Sequence, residues 1–250
     1  MAGALSTQGL RRRFGAFVAV DGVSLDVAPG ARHAVIGPNG AGKTTLINLI
    51  TGALRPDAGD VLLGAERVTA LAPHARVRRG LARTFQINNL FPGLTVLESV
   101  VLAVCERRGD GKHWLRPVSA HRAAQDEAYA LLESLQLAED AGRVTRHLPY
   151  GKQRLVEIAL ALATAPRVLL LDEPAAGIPS GERRELLETI ERLPAEMTIL
   201  LVEHDMSLVF RFAQRITVLV GGRVLTEGTP AEVAADARVR AVYLGEGGPV

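Results

Sequence analysis

The chain has 250 residues, 48% of them hydrophobic and 22% charged, which is enough apolar material for a large buried core and marks a folded globular protein. Its 29 basic and 27 acidic residues balance too evenly to argue for nucleic acid. No apolar run approaches the ~20 residues that span a bilayer and no N-terminal stretch resembles a signal peptide, so membrane association has to come through a partner. The single cysteine, Cys105, excludes an internal disulfide and suits a reducing, cytoplasmic compartment; beside the apolar run Val100-Val101-Leu102-Ala103-Val104 it reads as a packing residue.

In chain order, residues 32–36 read as a strand that ends on Gly37-Pro38-Asn39-Gly40-Ala41-Gly42, and residues 43–52 have helical spacing, with Leu46, Leu49, Ile50 and Ala53 apolar. Residues 61–63, set off from the helix before them by the turn-rich 55–59, and residues 81–85 read as further strands. From 95 to about 162 the pattern is helical, broken by a polar stretch at 107–119 that contains Gly109, Gly111, Trp114 and Pro117. Val168-Leu169-Leu170-Leu171 and residues 198–202 are apolar without alternation, as expected of strands buried on both faces of a parallel sheet. Helices are expected at 181–193 and 206–213, and a strand at 216–220 before Gly221-Gly222. Strands alternating with helices predict an α/β sheet covered on both faces, with a helical lobe inserted in its middle. Arg11-Arg12-Arg13 and Arg76-Val77-Arg78-Arg79 read as solvated faces, and His33, His74, His113, His121 and His147 show no metal-ligand spacing.

Gly37 to Thr44 fits the pattern G-x-x-x-x-G-K-[ST], with a strand before it and a helix after it. The glycines let backbone N–H groups turn around phosphate oxygens, and the helix N-terminus favours negative charge. Lys43 would reach the β- and γ-phosphates, and the Thr44 hydroxyl would ligate Mg²⁺. Such a loop needs a carboxylate at the end of a neighbouring strand. Residues 168–171 lead into Asp172 and Glu173, the first suited to holding Mg²⁺ and the second to acting as general base on the attacking water.

Five features occurring in order resemble the ABC ATPases: this loop, Gln86 after Arg83-Thr84-Phe85, Leu148-Pro149-Tyr150-Gly151-Lys152-Gln153-Arg154, Asp172-Glu173-Pro174, and His204 after Val202-Glu203. The resemblance covers nearly the whole chain. It implies a P-loop NTPase core of α/β class with a small antiparallel β region and an inserted helical subdomain. It divides the chain into a first part of the core at 1–86, a helical subdomain with the signature motif at 87–164, and a second part of the core with the C-terminal tail at 165–250. It further implies ATP and Mg²⁺ as ligands, a dimer that sandwiches two ATP molecules, integral-membrane permease subunits as partners, and a peripheral position on the cytoplasmic face of the plasma membrane. A solute-binding protein is implied indirectly, and nucleic acid is not.

By position, Gly37, Pro38, Asn39, Gly40, Ala41, Gly42, Lys43, Thr44 and Thr45 look like the nucleotide cradle, Phe14 like the aromatic stacked on adenine, and Gly151 like a signature residue facing the partner's ATP. Thr44, Gln86 and Asp172 look like the Mg²⁺ set, and Glu173, His204, Gln86 and Lys43 like the catalytic set. Core packing is the competing role for Phe14. Glu173-Pro174-Ala175-Ala176-Gly177, Glu203-His204-Asp205-Met206 and Ala241-Val242-Tyr243-Leu244-Gly245-Glu246 resemble the ATPases of branched-chain amino-acid importers. The alternatives are the ATPase of a lipopolysaccharide-type exporter, a soluble ABC ATPase that remodels a cytosolic assembly, and a regulatory nucleotide sensor.

Two positions depart from the family's pattern. Pro149 stands where the signature serine is expected, and proline has neither a hydroxyl nor a backbone N–H. Pro179 stands where an aspartate is usual. Intact catalytic residues beside an altered signature suggest a heterodimer.

Overall fold

The computed structural model describes residues 3–84, 90–110 and 121–244. The chain divides into two compact units. The first comprises Met1–Leu81, Arg167–Glu173 and Pro194–Val250, and the second Ala82–Pro166 and Pro174–Leu193.

The first unit opens with β1 (Leu5–Phe14) and β2 (Phe17–Val27), an antiparallel hairpin that joins β4 (Ala58–Leu63) and β5 (Glu66–Arg67) in a sheet of order β2-β1-β4-β5. This is the small antiparallel β region that the family resemblance implies, although residue pattern alone marks no strand before 32–36. Its alternation is broken by register shifts after Thr7 and around Leu10 to Arg13, which scramble the two-residue period that identifies a strand.

The second sheet has the order β10-β9-β3-β8-β7-β6. Its centre is β3 (Arg32–Ile36), flanked by β8 (Thr198–Val202) and β9 (Arg215–Val220) in parallel; β7 (Val168–Asp172) lies parallel to β8. Every residue of β7 and β8 is buried, which explains why both read as unbroken apolar runs. β10 (Arg223–Gly228) returns antiparallel to β9, and β6 (Leu81–Arg83) is the other edge, within which the chain leaves this unit. Helix α1 (Lys43–Thr51) buries Leu46, Ile47, Leu49 and Ile50 in a core shared with Leu5, Val20, Val35, Leu170 and Leu200. α7 (Met206–Phe212), α8 (Pro230–Ala235) and α9 (Ala237–Leu244) complete the unit, and Val209, Val233 and Val239 pack with Ala34, Ile36, Ile216 and Val218.

Arg76 corrects the expectation of a solvated arginine run. It lies on the short helix α2 (Pro73–Val77) with only 1% of its surface exposed. Its guanidinium donates to the carbonyls of Leu49 (2.8 Å), Ile50 (2.5 Å), Leu71 (3.1 Å) and Thr69 (2.8 Å). The last carbonyls of a helix have no partner within it, and here one planar cation serves those of α1 and two more from the segment between β5 and α2.

The second unit is helical: α3 (Val96–Arg108), α4 (Arg122–Ser134), α5 (Tyr150–Ala163) and α6 (Ser180–Glu191). Thr95 starts α3 with a capping box closed by Glu98. Cys105 is buried on α3 and carries no disulfide. α6 was expected with the core, but it packs on α5 and groups with the helical unit. Asp140, nearly buried between short turns, accepts from Lys152 (2.6 Å) and Arg143 (2.8 Å). Burial would raise its carboxyl, but these two cations outweigh that and hold it below the ordinary aspartate value.

Two stability outcomes follow. Replacing Arg76 by Ala strands buried carbonyls at the end of α1 and should cost about 3 kcal/mol or more in urea unfolding, with Arg76→Lys recovering only part because a point charge cannot span the same acceptors. A loss within the usual surface range of about 0.5 kcal/mol would contradict this assignment. The second outcome concerns His33 on β3, which is 1% exposed with Nε2 2.8 Å from Thr217 Oγ1. Burial pushes its imidazole down to about 4, against the pull of Glu227 in the opposite direction. The unfolded chain, with His at the ordinary ~6.5, therefore binds more protons between those values, so this contribution is complete above pH ~6.5 and is lost as the pH falls toward 4. The urea midpoint should drop across that window, and His33→Gln should flatten the drop.

Candidate functional site

The parallel register sets where the loop after β3, the carboxylates after β7 and the histidine after β8 emerge. Val35 of β3 pairs with Val202 of β8, and Val202 pairs with Asp172 of β7, so the three stand in one row across the sheet. One or two residues beyond that row lie Gly37, Glu173 and His204. The carboxyl ends of parallel strands are where ligands of open α/β sheets bind.

The loop from Gly37 to Gly42 is shaped by backbone approach. A Cβ on Gly37 would lie 2.2 Å from the Leu219 carbonyl oxygen, and one on Gly42, whose φ is +102°, would lie 2.4 Å from that of Ala19. Ala41 closes a turn by donating to Pro38 O at 3.1 Å, and Asn39 and Gly40 are exposed at its crest. Lys43 is nearly buried and folds its ammonium back onto Gly37 O (2.5 Å) and Pro38 O (3.1 Å). Thr44 is exposed and Thr45 half-buried. Helix α1 starts without a side-chain cap and without an acidic residue in its first turn. Its leading N–H groups thus lack the partner that Ser, Thr or Asp supplies elsewhere, and no like charge opposes an anion. A glycine cradle that a Cβ would fill, an uncapped helix start and a lysine inside the loop fit a nucleotide's phosphates.

Asp172 ends β7 with 1% exposure. Glu173 follows it in left-handed backbone, φ +47°, and donates its N–H to Val202 O at 2.8 Å. That conformation is costly for a residue with a side chain and is held in place by the neighbouring strand. A buried aspartate, the exposed Thr44 hydroxyl and a phosphate-binding loop form an oxygen donor set that fits Mg²⁺. His204 is exposed, 64% of its side chain reaching solvent, and lies at the turn into α7. The turn is organised by Glu203, which is buried and accepts from the N–H groups of His204 (3.0 Å) and Asp205 (3.4 Å). Sequence reading treated Glu203 only as part of a motif, and its burial is what orients the histidine backbone. Asp205 in turn caps α7, accepting from Ser207 and Leu208.

Phe14 ends β1 with 45% of its surface exposed and Arg12 5.1 Å over its ring, so it lies outside the core. β2 reaches the phosphate loop at Ala19, where Gly222 also makes contact: its N–H donates to Ala41 O, and its carbonyl accepts from Asp21. Gln86 lies outside the described residues.

Gly151 belongs to the second unit. Pro149 is the residue before α5 and caps nothing with its side chain. The Gly151 N–H donates instead to Glu182 Oε2 at 2.7 Å, and a Cβ at Gly151 would sit 2.9 Å from that oxygen. Glu182, in the first turn of α6, had no signal in the sequence because its role arises only from the packing of α6 on α5.

The Gly42 geometry has a direct consequence. Gly42→Ala forces a left-handed alanine into the Ala19 carbonyl and should destabilise the fold by about 2 kcal/mol or more, read as a lowered urea midpoint. Gly40→Ala, with open space around its Cβ, should cost only about 1 kcal/mol of backbone strain.

The sequence model of the family described as "ABC transporter" matches residues 20–176, and that of "Branched-chain amino acid ATP-binding cassette transporter" matches residues 223–249. The chain is 41% identical over 249 residues to the high-affinity branched-chain amino acid transport ATP-binding protein LivG of Escherichia coli (strain K12), covering 97% of this chain and 98% of that one. It superposes with TM-score 0.82 and 31% identity on the ADP conformation of MJ1267, an ATP-binding cassette of an ABC transporter, covering 98% of this chain and 100% of the other. The dimeric structure of MJ0796, a bacterial ABC transporter cassette, superposes with TM-score 0.75 and 26% identity over 90% of this chain and 98% of its own. Kinship over almost the full length matches the loop and strand-end geometry, and the chain belongs to the ABC transporter family as one of its ATP-hydrolysing cassettes.

Proposed function

We propose that this chain powers the uptake of branched-chain or related amino acids through permease subunits to which it binds at the cytoplasmic face of the plasma membrane. The observation that carries this reading is the end-to-end identity with LivG, reinforced by the branched-chain importer model at the C-terminal end. A peripheral role agrees with the helices, none of which, among the described residues, is long and apolar enough to cross a membrane.

The residues of the sheet's carboxyl edge take the following roles. The N–H groups of residues 39–45 and the Lys43 ammonium hold the β- and γ-phosphates, with Lys43 turning from its loop carbonyls to phosphate oxygens. Phe14 offers an exposed ring to the adenine. Thr44, Asp172 and Gln86 hold Mg²⁺, which neutralises charge on the phosphate oxygens when bound. Glu173 accepts the proton of the attacking water, its left-handed backbone setting the direction of the carboxylate. His204 reaches the γ-phosphate from its exposed turn.

Gly151 and its neighbours face the nucleotide of a second cassette. Because Pro149 supplies neither hydroxyl nor N–H, the second cassette is a different chain with a fuller signature, and this chain's own loop is completed by that partner.

Lys43→Ala should weaken ATP binding by on the order of 100-fold, whereas Glu173→Gln should keep binding and slow turnover by about 10²–10⁴-fold. Equal hydrolysis by wild type and Glu173→Gln would remove the base assignment. The ATP-loaded Glu173→Gln protein should dimerise poorly alone, and tight homodimers would refute the heterodimer. Recovery of the chain from membranes with an integral permease, and loss of leucine, isoleucine and valine uptake in a deletion strain, test the transport reading; a wholly soluble complex would overturn it.

A further inference from the structure

Three side chains with metal-ligand chemistry converge in the helical unit, and none of them is among the residues assigned to ATP. Cys105 lies in the last turns of α3 and is buried. Gly109 ends that helix in left-handed backbone with its N–H on Cys105 O and Glu106 O, which turns the chain back so that Asp110 returns toward the sulfur. His121 directly precedes α4, and its side chain does not cap that helix. α3 packs on α4, so residues 16 positions apart in sequence meet: the Cys105 sulfur, a carboxylate oxygen of Asp110 and a ring nitrogen of His121 all lie within 4.8 Å of one another. Among the described residues no other group of three Cys, His, Asp or Glu side chains converges this way.

We propose that Cys105, Asp110 and His121 bind a divalent cation of the zinc class, which ties the end of α3 to the start of α4. Bond lengths of about 2.3 Å to sulfur and about 2.0–2.2 Å to nitrogen and oxygen place tetrahedral ligand atoms roughly 3.3–3.6 Å apart. The three ligand atoms already lie within 4.8 Å of one another, so ligation requires each pair to close by at most roughly 1.5 Å. Thiolate with imidazole selects a borderline-soft metal over Mg²⁺ or Ca²⁺, and three protein ligands leave a fourth position for water.

The ligand set also balances the ion's charge: Asp110 supplies one negative ligand, the Cys105 thiol supplies a second by losing its proton to solvent on ligation, and His121 binds as a neutral imidazole. Arg108 stands 3.7 Å from Asp110 but also donates to Ala123 O (3.3 Å) and Glu127 (3.3 Å), so it keeps anchors when Asp110 turns to the metal.

The test is a Co²⁺ titration of the full, tag-free, nucleotide-free chain after chelator treatment, followed by absorption. A stoichiometric thiolate-to-cobalt charge-transfer band with tetrahedral d–d absorption, displaced by Zn²⁺, is expected. Cys105→Ser should abolish the band, and the half-buried His121→Gln should weaken cobalt binding by on the order of 10-fold or more while leaving ATP affinity unchanged. Because His121 lies outside the core, its variant separates ligation from a folding defect at Cys105. Absence of the band in wild type, its survival in Cys105→Ser, or an unchanged affinity in His121→Gln would each overturn the proposal.

Discussion

The pairing of Val35 with Val202 and of Val202 with Asp172 is the constraint on which the nucleotide site depends. Strands held in parallel register end together, so the phosphate loop, the carboxylate pair and the histidine turn emerge at one edge without any direct contact among their side chains being required. A slip of one residue between β7 and β8 would turn Asp172 to the opposite face of the sheet and put Glu173 in its place. Because both strands are buried on both faces, alternation does not fix this register; the charged residues at the two ends of the apolar run, Arg167 and Asp172, do, since a slip in either direction draws one of them into the apolar row.

Around that register the loop is clamped from two sides. Ala19 of β2 and Gly222 after β9 close on Gly42 and Ala41, and the Leu219 carbonyl excludes any side chain at Gly37. At the far end of α1, Arg76 gathers the carbonyls that the helix leaves open. Helix α1, whose N-terminus is the proposed phosphate site, is therefore fixed at both ends by groups remote in sequence. In the helical unit the corresponding helix start is organised differently: with Pro149 unable to cap, the Gly151 amide is taken by Glu182.

Much of this was legible in the sequence. The runs at β7 and β8, the loop after β3 and the carboxylates after Leu171 follow from local pattern, since burial on both faces and a glycine-rich turn leave direct marks on residue type. The β1–β2 hairpin was not legible, because its bulges destroy the alternation that reveals a strand. Arg76 read as one solvated arginine among several, and nothing local distinguishes an arginine that neutralises carbonyls from one that faces water. Glu182 and the Cys105–Asp110–His121 group were silent for a related reason. Spacing rules find ligands on one helix or one loop, whereas these depend on which helices pack together.

Glu173 sits in a backbone conformation that glycine and asparagine adopt more readily than glutamate. On the proposed role of Glu173 as base, the residue that best relaxes this backbone and the residue that activates water are different residues, so stability and turnover would pull this one position in opposite directions.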